Sequence, residues 1–276
     1  MALDRATIIS LGSKLAPAAA TFGQLRHLLE DPNTGSDEIV KLIRLDQALT
    51  FHVIRMSNSV IFGLREQNDS LEGAVGRVGF REIYRLVGLA ATQQVCQRDL
   101  GHYRLKAERL WENSVATAAA AEVLAGAAGC DPGLAYTSGL LRTLGRVIID
   151  GSAAGRVYPG EAEWPLVAEW EQTTFGVTAA EVTAVLLEHW RFPAEIVDGV
   201  RNHFDPFALG EPNTSACVLN LACGVVARFG LDLPGETSHW ISSPAELKLA
   251  HLPESALEEC AEKAREHYAA LCAAVS

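Results

Sequence analysis

Aromatic residues are scarce in this chain of 276 residues, where Phe, Trp and Tyr together make up 7% of the sequence. Alanine is abundant instead, with 41 residues. Alanine is the best helix former and a poor strand former, whereas strands are enriched in aromatic and β-branched residues. The composition therefore predicts an all-α fold and argues against β-sandwiches and β-barrels.

The sequence also lacks the features that mark secreted and membrane proteins. Its six cysteines form no CxxC pair, no secretory leader is recognisable, and no apolar run approaches the roughly 18 residues of a membrane span. We therefore expect a cytoplasmic protein whose cysteines are reduced core thiols.

Positive charge is in the minority, because 23 Lys and Arg residues stand against 34 Asp and Glu residues and leave a net charge of −11. A surface this acidic repels phosphate backbones and anionic lipids. The charge balance predicts that neither nucleic acid nor a membrane is a partner.

Helix start signals divide the chain into short helices. Residues 178–181 and 243–246 form capping boxes, and Asp131 followed by Pro132 is an N-cap with proline at the first helical position. A helix capped by Asp46 carries apolar residues at helical spacing, and these are predicted to face the core: Leu49, Val53 and Met56. The polar stretch 97–102 is the best candidate seam, which predicts two packed helical lobes, 1–100 and 101–276.

A series of short motifs resembles the HDOD family of bacterial signalling proteins. The motifs are LDQAL (45–49), IRMSNSVIFG (54–63), SLEGAV (70–75), VGF (78–80), LWENS (110–114), FGVTAAEV (175–182), HWRFP (189–193) and NHF (202–204). They follow the order of the family pattern from about residue 15 to the last helix. The resemblance implies an N-terminal helical subdomain packed on a helical bundle related to the HD-type metal phosphohydrolases.

The resemblance also places the metal-binding positions of an HD phosphohydrolase, which needs histidines, an adjacent His-Asp pair and a distant Asp to hold a divalent metal. The matching positions form what we call the vestigial pocket: Asn113, Arg142, Thr143, Ala179, His203 and Cys223. Only His203 among them is an ordinary metal ligand, and the chain contains no His-Asp dipeptide. We therefore expect no metal, no cofactor and no catalysis.

Four residues are candidates for contact with a ligand or partner. Arg142 either pairs with a carboxylate inside the vestigial pocket or binds a phosphate-bearing ligand there. Arg81 and Arg85 either lie on a solvated helix face or meet an anionic ligand or partner. Asn58 either caps or stitches a turn or contacts a ligand. His203, by contrast, is expected in solvent at a helix end, together with Asp205.

The hypothesis is a non-catalytic regulatory protein of signal transduction that binds a protein partner, with the groove between the N-terminal helices and the HD-like core receiving a partner helix or loop. The expected partner is a signalling protein on a separate chain, such as a receiver or cyclic-dinucleotide protein, and a homodimer is a further expectation. Two alternatives stay open. One is a sensor that holds a cyclic dinucleotide or similar anion in the vestigial pocket, and the other is a divergent phosphohydrolase using His203 and Cys223.

Overall fold

The computed structural model of the chain describes residues 3–15, 17–59, 68–207, 213–240 and 243–275. Within these ranges all regular secondary structure is helical, apart from one isolated bridge between Leu100 and Leu105. The predicted all-α fold is confirmed. The helices are α1 (Arg5–Leu15), α2 (Pro17–Glu30), α3 (Ser36–Ile43), α4 (Gln47–Ser57), α5 (Leu71–Val78), α6 (Phe80–Val95), α7 (Ala107–Ala128), α8 (Pro132–Leu141), α9 (Leu144–Ser152), α10 (Val167–Phe175), α11 (Ala179–His189), α12 (Ala194–Asn202), α13 (Thr214–Arg228), α14 (Pro244–Leu249) and α15 (Glu254–Val275), with 3₁₀-helices at Gly101–Tyr103 and Thr237–His239.

The predicted helix starts are confirmed. Both capping boxes form, since the Thr178 and Ser243 side chains accept hydrogen bonds from the backbone N–H groups of Glu181 and Glu246. Asp131 accepts from two backbone N–H groups at the start of α8. These bonds satisfy donors that a helix leaves free at its first turn, so the helix boundaries follow from local chemistry.

The predicted core face of α4 is confirmed as well. Leu49, Val53 and Met56 are fully buried, whereas Phe51 on the outer side of the helix is 63% exposed. The packing contacts of α4 with the core therefore come from this one side of the helix.

Helix α7 lies at the centre of the C-terminal half, where it packs against α8, α13 and α15. Its alanines allow close approach. A Cβ atom added to Gly139 of α8 would come within 2.6 Å of the Ala118 backbone, so α7 and α8 touch backbone to backbone. This contact brings the N-terminal half of α7 close to the residues that follow α8.

Residues before and after the boundary predicted at residues 97–102 contact each other. Phe22 of α2 meets Phe192 edge to face, with ring centroids 6.2 Å apart. Helix α1 packs against α9 and α11, although it lies in the first hundred residues. The division into lobes 1–100 and 101–276 stays a prediction. None of the described helices has both the length and the apolar character that crossing a bilayer requires.

Candidate functional site

The elements of the C-terminal half bring the positions of the vestigial pocket together. Asn113 comes from α7, Arg142 and Thr143 from the link between α8 and α9, Ala179 from the first turn of α11, His203 from the end of α12, and Cys223 from α13. All six residues are buried. Thr183 connects two of them, because its hydroxyl donates to the carbonyls of Arg142 and Ala179.

Glu236, in the segment after α13, lies between two arginines. Arg142 donates from both terminal nitrogens to the Glu236 carboxylate, at 3.2 and 2.9 Å, and Arg146 of α9 donates to it at 2.7 Å. All three side chains are about 1% exposed. We call these residues the Arg–Glu–Arg cluster. The ion pair that the sequence left as one alternative for Arg142 is therefore present.

Further contacts hold the two guanidinium groups in place. Arg142 also donates to the Asn113 side-chain oxygen at 2.6 Å, and its guanidinium lies 5.7 Å from the ring centre of Trp240. The guanidinium of Arg146 lies 5.2 Å from the ring centre of Tyr103. Each arginine is thus fixed by a hydrogen-bonded charge and an aromatic face.

The charges in the cluster follow from burial and proximity. Burial favours the protonated carboxyl, but the two guanidiniums outweigh it and hold the pKa of Glu236 below its ordinary value. Burial, aided by the Arg142 charge, lowers the pKa of His203 to about 3. Burial raises the pKa of Cys223 to about 12. At neutral pH the site therefore contains a carboxylate, two guanidiniums, a neutral imidazole and a thiol.

Glu171 of α10 is a further buried acidic residue near the Arg–Glu–Arg cluster. Its carboxyl accepts hydrogen bonds from the Tyr103 hydroxyl at 2.7 Å and from the Ala179 backbone N–H at 2.6 Å. Burial raises the pKa of Glu171 to about 6, against the opposing effect of Arg146. This carboxyl therefore titrates in a mildly acidic range rather than at its usual pH.

Comparisons with known proteins identify the family to which this fold belongs. The sequence model of the HDOD domain family matches residues 15–206, well over half of the chain. The chain belongs to the HDOD domain family. A curated relative, an uncharacterised protein from Treponema pallidum (strain Nichols), is 27% identical over 191 residues, which cover 65% of this chain. The chain spans only 36% of the length of that relative.

Solved structures share the fold. A candidate phosphohydrolase from Shewanella amazonensis SB2B has a TM-score of 0.70 at 20% identity, and the match covers 98% of both chains. An HDOD domain protein of unknown function from Geobacter sulfurreducens has a TM-score of 0.60 at 19% identity, over 96% of this chain and 99% of the other. A candidate signal transduction protein from Marinobacter aquaeolei VT8 has a TM-score of 0.69 at 21% identity, over 92% of this chain and 58% of the other. At these identities the likeness establishes the HDOD fold.

The HDOD site does not fit the divalent metal of HD phosphohydrolases. The described residues contain no group of three His, Cys, Asp or Glu side chains placed to hold a metal ion. The one carboxylate of the Arg–Glu–Arg cluster is shared by two guanidiniums, and the Cys223 thiol is protonated. A divalent cation would have to displace or face two permanent positive charges, which oppose it electrostatically.

The position of His203 corrects the sequence-based expectation. This residue is 1% exposed, not in solvent, although Asp205 two residues later is exposed. Its ring stacks on Trp240 with centroids 5.9 Å apart, and its Nδ1 lies 2.7 Å from the Val200 carbonyl. Burial under Trp240 in the segment that carries Glu236 explains the difference.

The two arginines of α6 differ from each other in exposure, since Arg81 lies on a solvated face and Arg85 does not. Arg85 is largely buried and pairs with Glu122 of α7 and with Glu82 one turn earlier. Arg81 is 74% exposed at its side chain and lies 3.4 Å from the same Glu122 carboxylate. Arg85 therefore acts in an internal ion pair, and contact of either arginine with a ligand or partner stays a prediction.

The Asn58 side chain links two parts of the backbone, which is one of the two roles that the sequence left open for it. Its side-chain nitrogen donates to the Asn68 carbonyl at 3.0 Å, and its oxygen accepts from the Asn68 backbone N–H at 2.6 Å. Both polar atoms of the amide are used in this way. Contact of Asn58 with a ligand stays a prediction.

Three residues of the site were missed from the sequence: Arg146, Glu171 and Glu236. Arg146 follows Arg142 by four positions, a spacing typical of neighbours on one helix face, and this was the only local signal. The side-chain partners Arg142 of Glu236 and Tyr103 of Glu171 lie 94 and 68 residues away, so no short motif could reveal these contacts.

Proposed function

We propose that this HDOD protein is a non-catalytic regulator that acts in signal transduction by binding a protein partner. The observation that carries the proposal is the Arg–Glu–Arg cluster, which puts internal charges where an HD phosphohydrolase holds a catalytic metal. The structurally similar Marinobacter protein is described as a candidate signal transduction protein, and we extend that role to this chain.

The cluster also argues against an anionic nucleotide in the vestigial pocket. A phosphate group would have to displace Glu236 from both Arg142 and Arg146, and would leave that carboxylate buried without its partners. Removing one partner from a buried charge pair is strongly unfavourable. The ligand-sensor alternative therefore has no observation in its favour.

Metal content and hydrolysis test the non-catalytic part of the proposal. The purified protein is stripped with a chelator, reloaded with Mn²⁺ or Zn²⁺, and analysed by mass spectrometry of the metal. It is then assayed for hydrolysis of bis(p-nitrophenyl) phosphate and cyclic di-GMP. We expect far less than one equivalent of metal and no hydrolysis above the rate without protein. One tightly bound equivalent, or hydrolysis abolished by His203→Ala, would contradict the proposal.

Partner binding needs its own test. The tagged protein is captured from the cell that produces it, and the captured proteins are identified by mass spectrometry. We expect a signalling protein in stoichiometric amount. Size-exclusion chromatography of the purified protein distinguishes a homodimer from a monomer, and a strictly monomeric protein that captures nothing would contradict the proposal.

A further inference from the structure

A groove of about 480 Å³ opens between the N-terminal helices and the end of α11. It lies well away from the Arg–Glu–Arg cluster in sequence and shares no residue with it. Its lining comes from α2, α3 and the turn after α11: Ala20, Gln24, His27, Leu28, Leu42, His189, Trp190 and Arg191.

The helices on the two sides of this groove are firmly attached to each other. Phe192, directly after the groove residues, packs edge to face on Phe22 of α2 and is almost fully buried. A Cβ atom added to Gly23 would come within 2.7 Å of the Phe192 ring. The packing of Phe192 on α2 therefore holds the two walls of the groove together.

One part of the groove is apolar. Leu28, Leu42 and Trp190 line it and are only partly buried, and Leu42 and Trp190 also pack against the hydrophobic core. Apolar surface of this kind gains free energy when an apolar side chain of a ligand covers it. The groove therefore offers a place for an aliphatic or aromatic anchor.

The other part of the groove is cationic, in a protein of net charge −11. The exposed Arg191 side chain makes no hydrogen bond or ion pair with any of the residues that the structure describes. The His27 and His189 imidazoles line the same groove. The nearby Glu188 is already paired with Arg5 and Arg201, and Glu30 lies 3.6 Å from His27. Arg191 is thus a permanent charge without a counter-ion at the edge of an apolar surface.

The backbone conformation at Arg191 is unfavourable for a residue that has a side chain. Its φ angle is +60°, in the left-handed region, where it ends α11 while the Phe192 N–H bonds to the Leu187 carbonyl. Glycine is the usual residue at this position after a helix, because a Cβ atom is disfavoured there. Three other described non-glycine residues have a positive φ, but none of them lines this groove.

We propose that this groove binds an acidic segment of a partner protein, with an apolar side chain seated against Leu28, Leu42 and Trp190 and carboxylates paired with Arg191. The proposal rests on the proposed function, since it assigns the partner-binding site of the regulator. Charge complementarity selects an acidic segment over a basic one. A cyclic dinucleotide fits less well, because the groove offers a single permanent cation for two phosphates and a single large aromatic ring, that of Trp190, for two bases.

Selection from a library of random 12-residue peptides tests this inference. Peptides displayed on phage are selected on the wild-type protein alone, and the enriched peptides are labelled with fluorescein for anisotropy titrations. We expect the enriched sequences to combine Asp or Glu with Leu, Ile or Phe, and their affinity to fall at least tenfold in Arg191→Glu. Arg98→Glu is the matched control, since Arg98 is exposed outside the groove and carries the same charge change, and there the affinity should change less than twofold.

A second variant separates binding from stability. Arg191→Gly should raise the urea midpoint of unfolding, because glycine adopts a positive φ without strain, and should still weaken peptide binding. Opposite changes in stability and affinity are not expected of a purely structural residue. The inference is wrong if no peptide is enriched, if the enriched peptides are not acidic, if Arg191→Glu leaves their affinity unchanged, or if cyclic di-GMP binds in an Arg191-dependent way.

The outcomes also distinguish this inference from the proposed function. Tight metal binding or phosphodiester hydrolysis would overturn the proposed function whatever the peptides do. A metal-free, inactive protein that captures a signalling partner, but whose enriched peptides bind independently of Arg191, would overturn only the assignment of this groove.

Discussion

Glu236 accepts two hydrogen bonds from the Arg142 guanidinium, at 3.2 and 2.9 Å, although the two residues are 94 positions apart. The same carboxylate accepts a third from Arg146. This cluster ties the segment after α13 to the link between α8 and α9 and to α9 itself. Two permanent guanidinium charges and one carboxylate are therefore fixed in the interior of the HDOD fold.

Neutralising Glu236 should strongly destabilise the protein. Glu236→Gln leaves two buried guanidiniums without a carboxylate, and breaking a buried pair in this way costs about 3–5 kcal/mol. The free energy of unfolding in urea measures the loss. Glu258→Gln is the control, because it is the same substitution in an exposed ion pair, that of Glu258 with Arg228. For this variant we expect no loss of unfolding free energy beyond experimental error. Equal effects of the two substitutions would show that the buried cluster contributes nothing specific.

His203 should make the protein sensitive to acid. Its pKa is lowered to about 3 in the folded protein from an ordinary value of 6.5, so the folded state resists protonation that the unfolded state accepts. The stability that the neutral imidazole provides is therefore complete above pH 6.5 and is lost as the pH falls towards 3, by about 1.4 kcal/mol per pH unit. Unfolding free energies measured from pH 7 to pH 5 should show this slope as a difference between wild type and His203→Gln. Parallel curves would mean that His203 titrates normally.

Glu171 should act in the opposite direction. Its pKa is raised to about 6 from 4.5, so the folded state favours the protonated carboxyl. The stability it gives is complete below pH 4.5 and is lost as the pH rises through 6, by about 2 kcal/mol in all. Glu171→Gln cannot ionise, so the wild type should lose stability relative to this variant between pH 4 and pH 7. A difference that does not change with pH would contradict the raised pKa.

Leu49 should contribute to the N-terminal core in the usual way. The side chain is fully buried, and Leu49→Ala should lower the free energy of unfolding by about 2–5 kcal/mol. Phe51→Ala on the exposed side of the same helix is the control and should have a much smaller effect. Urea unfolding of both variants measures the difference, and a loss below about 0.5 kcal/mol for Leu49→Ala would mean that α4 faces the other way.

The features that the sequence predicted correctly depend on neighbours in the chain. Thr178 and Ser243 cap their helices through residues three positions away, and Leu49, Val53 and Met56 share a face because of the helical repeat. The family motifs also pointed to Asn113, Arg142 and His203, and in the structure Arg142 bonds to Asn113 and shares the Trp240 ring with His203. Local hydrogen bonding and periodicity act over a few residues, so a single sequence contains the information.

The tertiary structure alone decided the character of the site. His203 looks like a helix-end residue in solvent, but it is buried and its ring stacks on Trp240 of the segment that also carries Glu236. The partner of Arg142 was equally hidden in the sequence, because several other carboxylates could have reached a long guanidinium side chain. Which carboxylate pairs with it depends on how α8, α9 and the segment after α13 pack, and the sum of many apolar contacts determines that packing rather than any short motif.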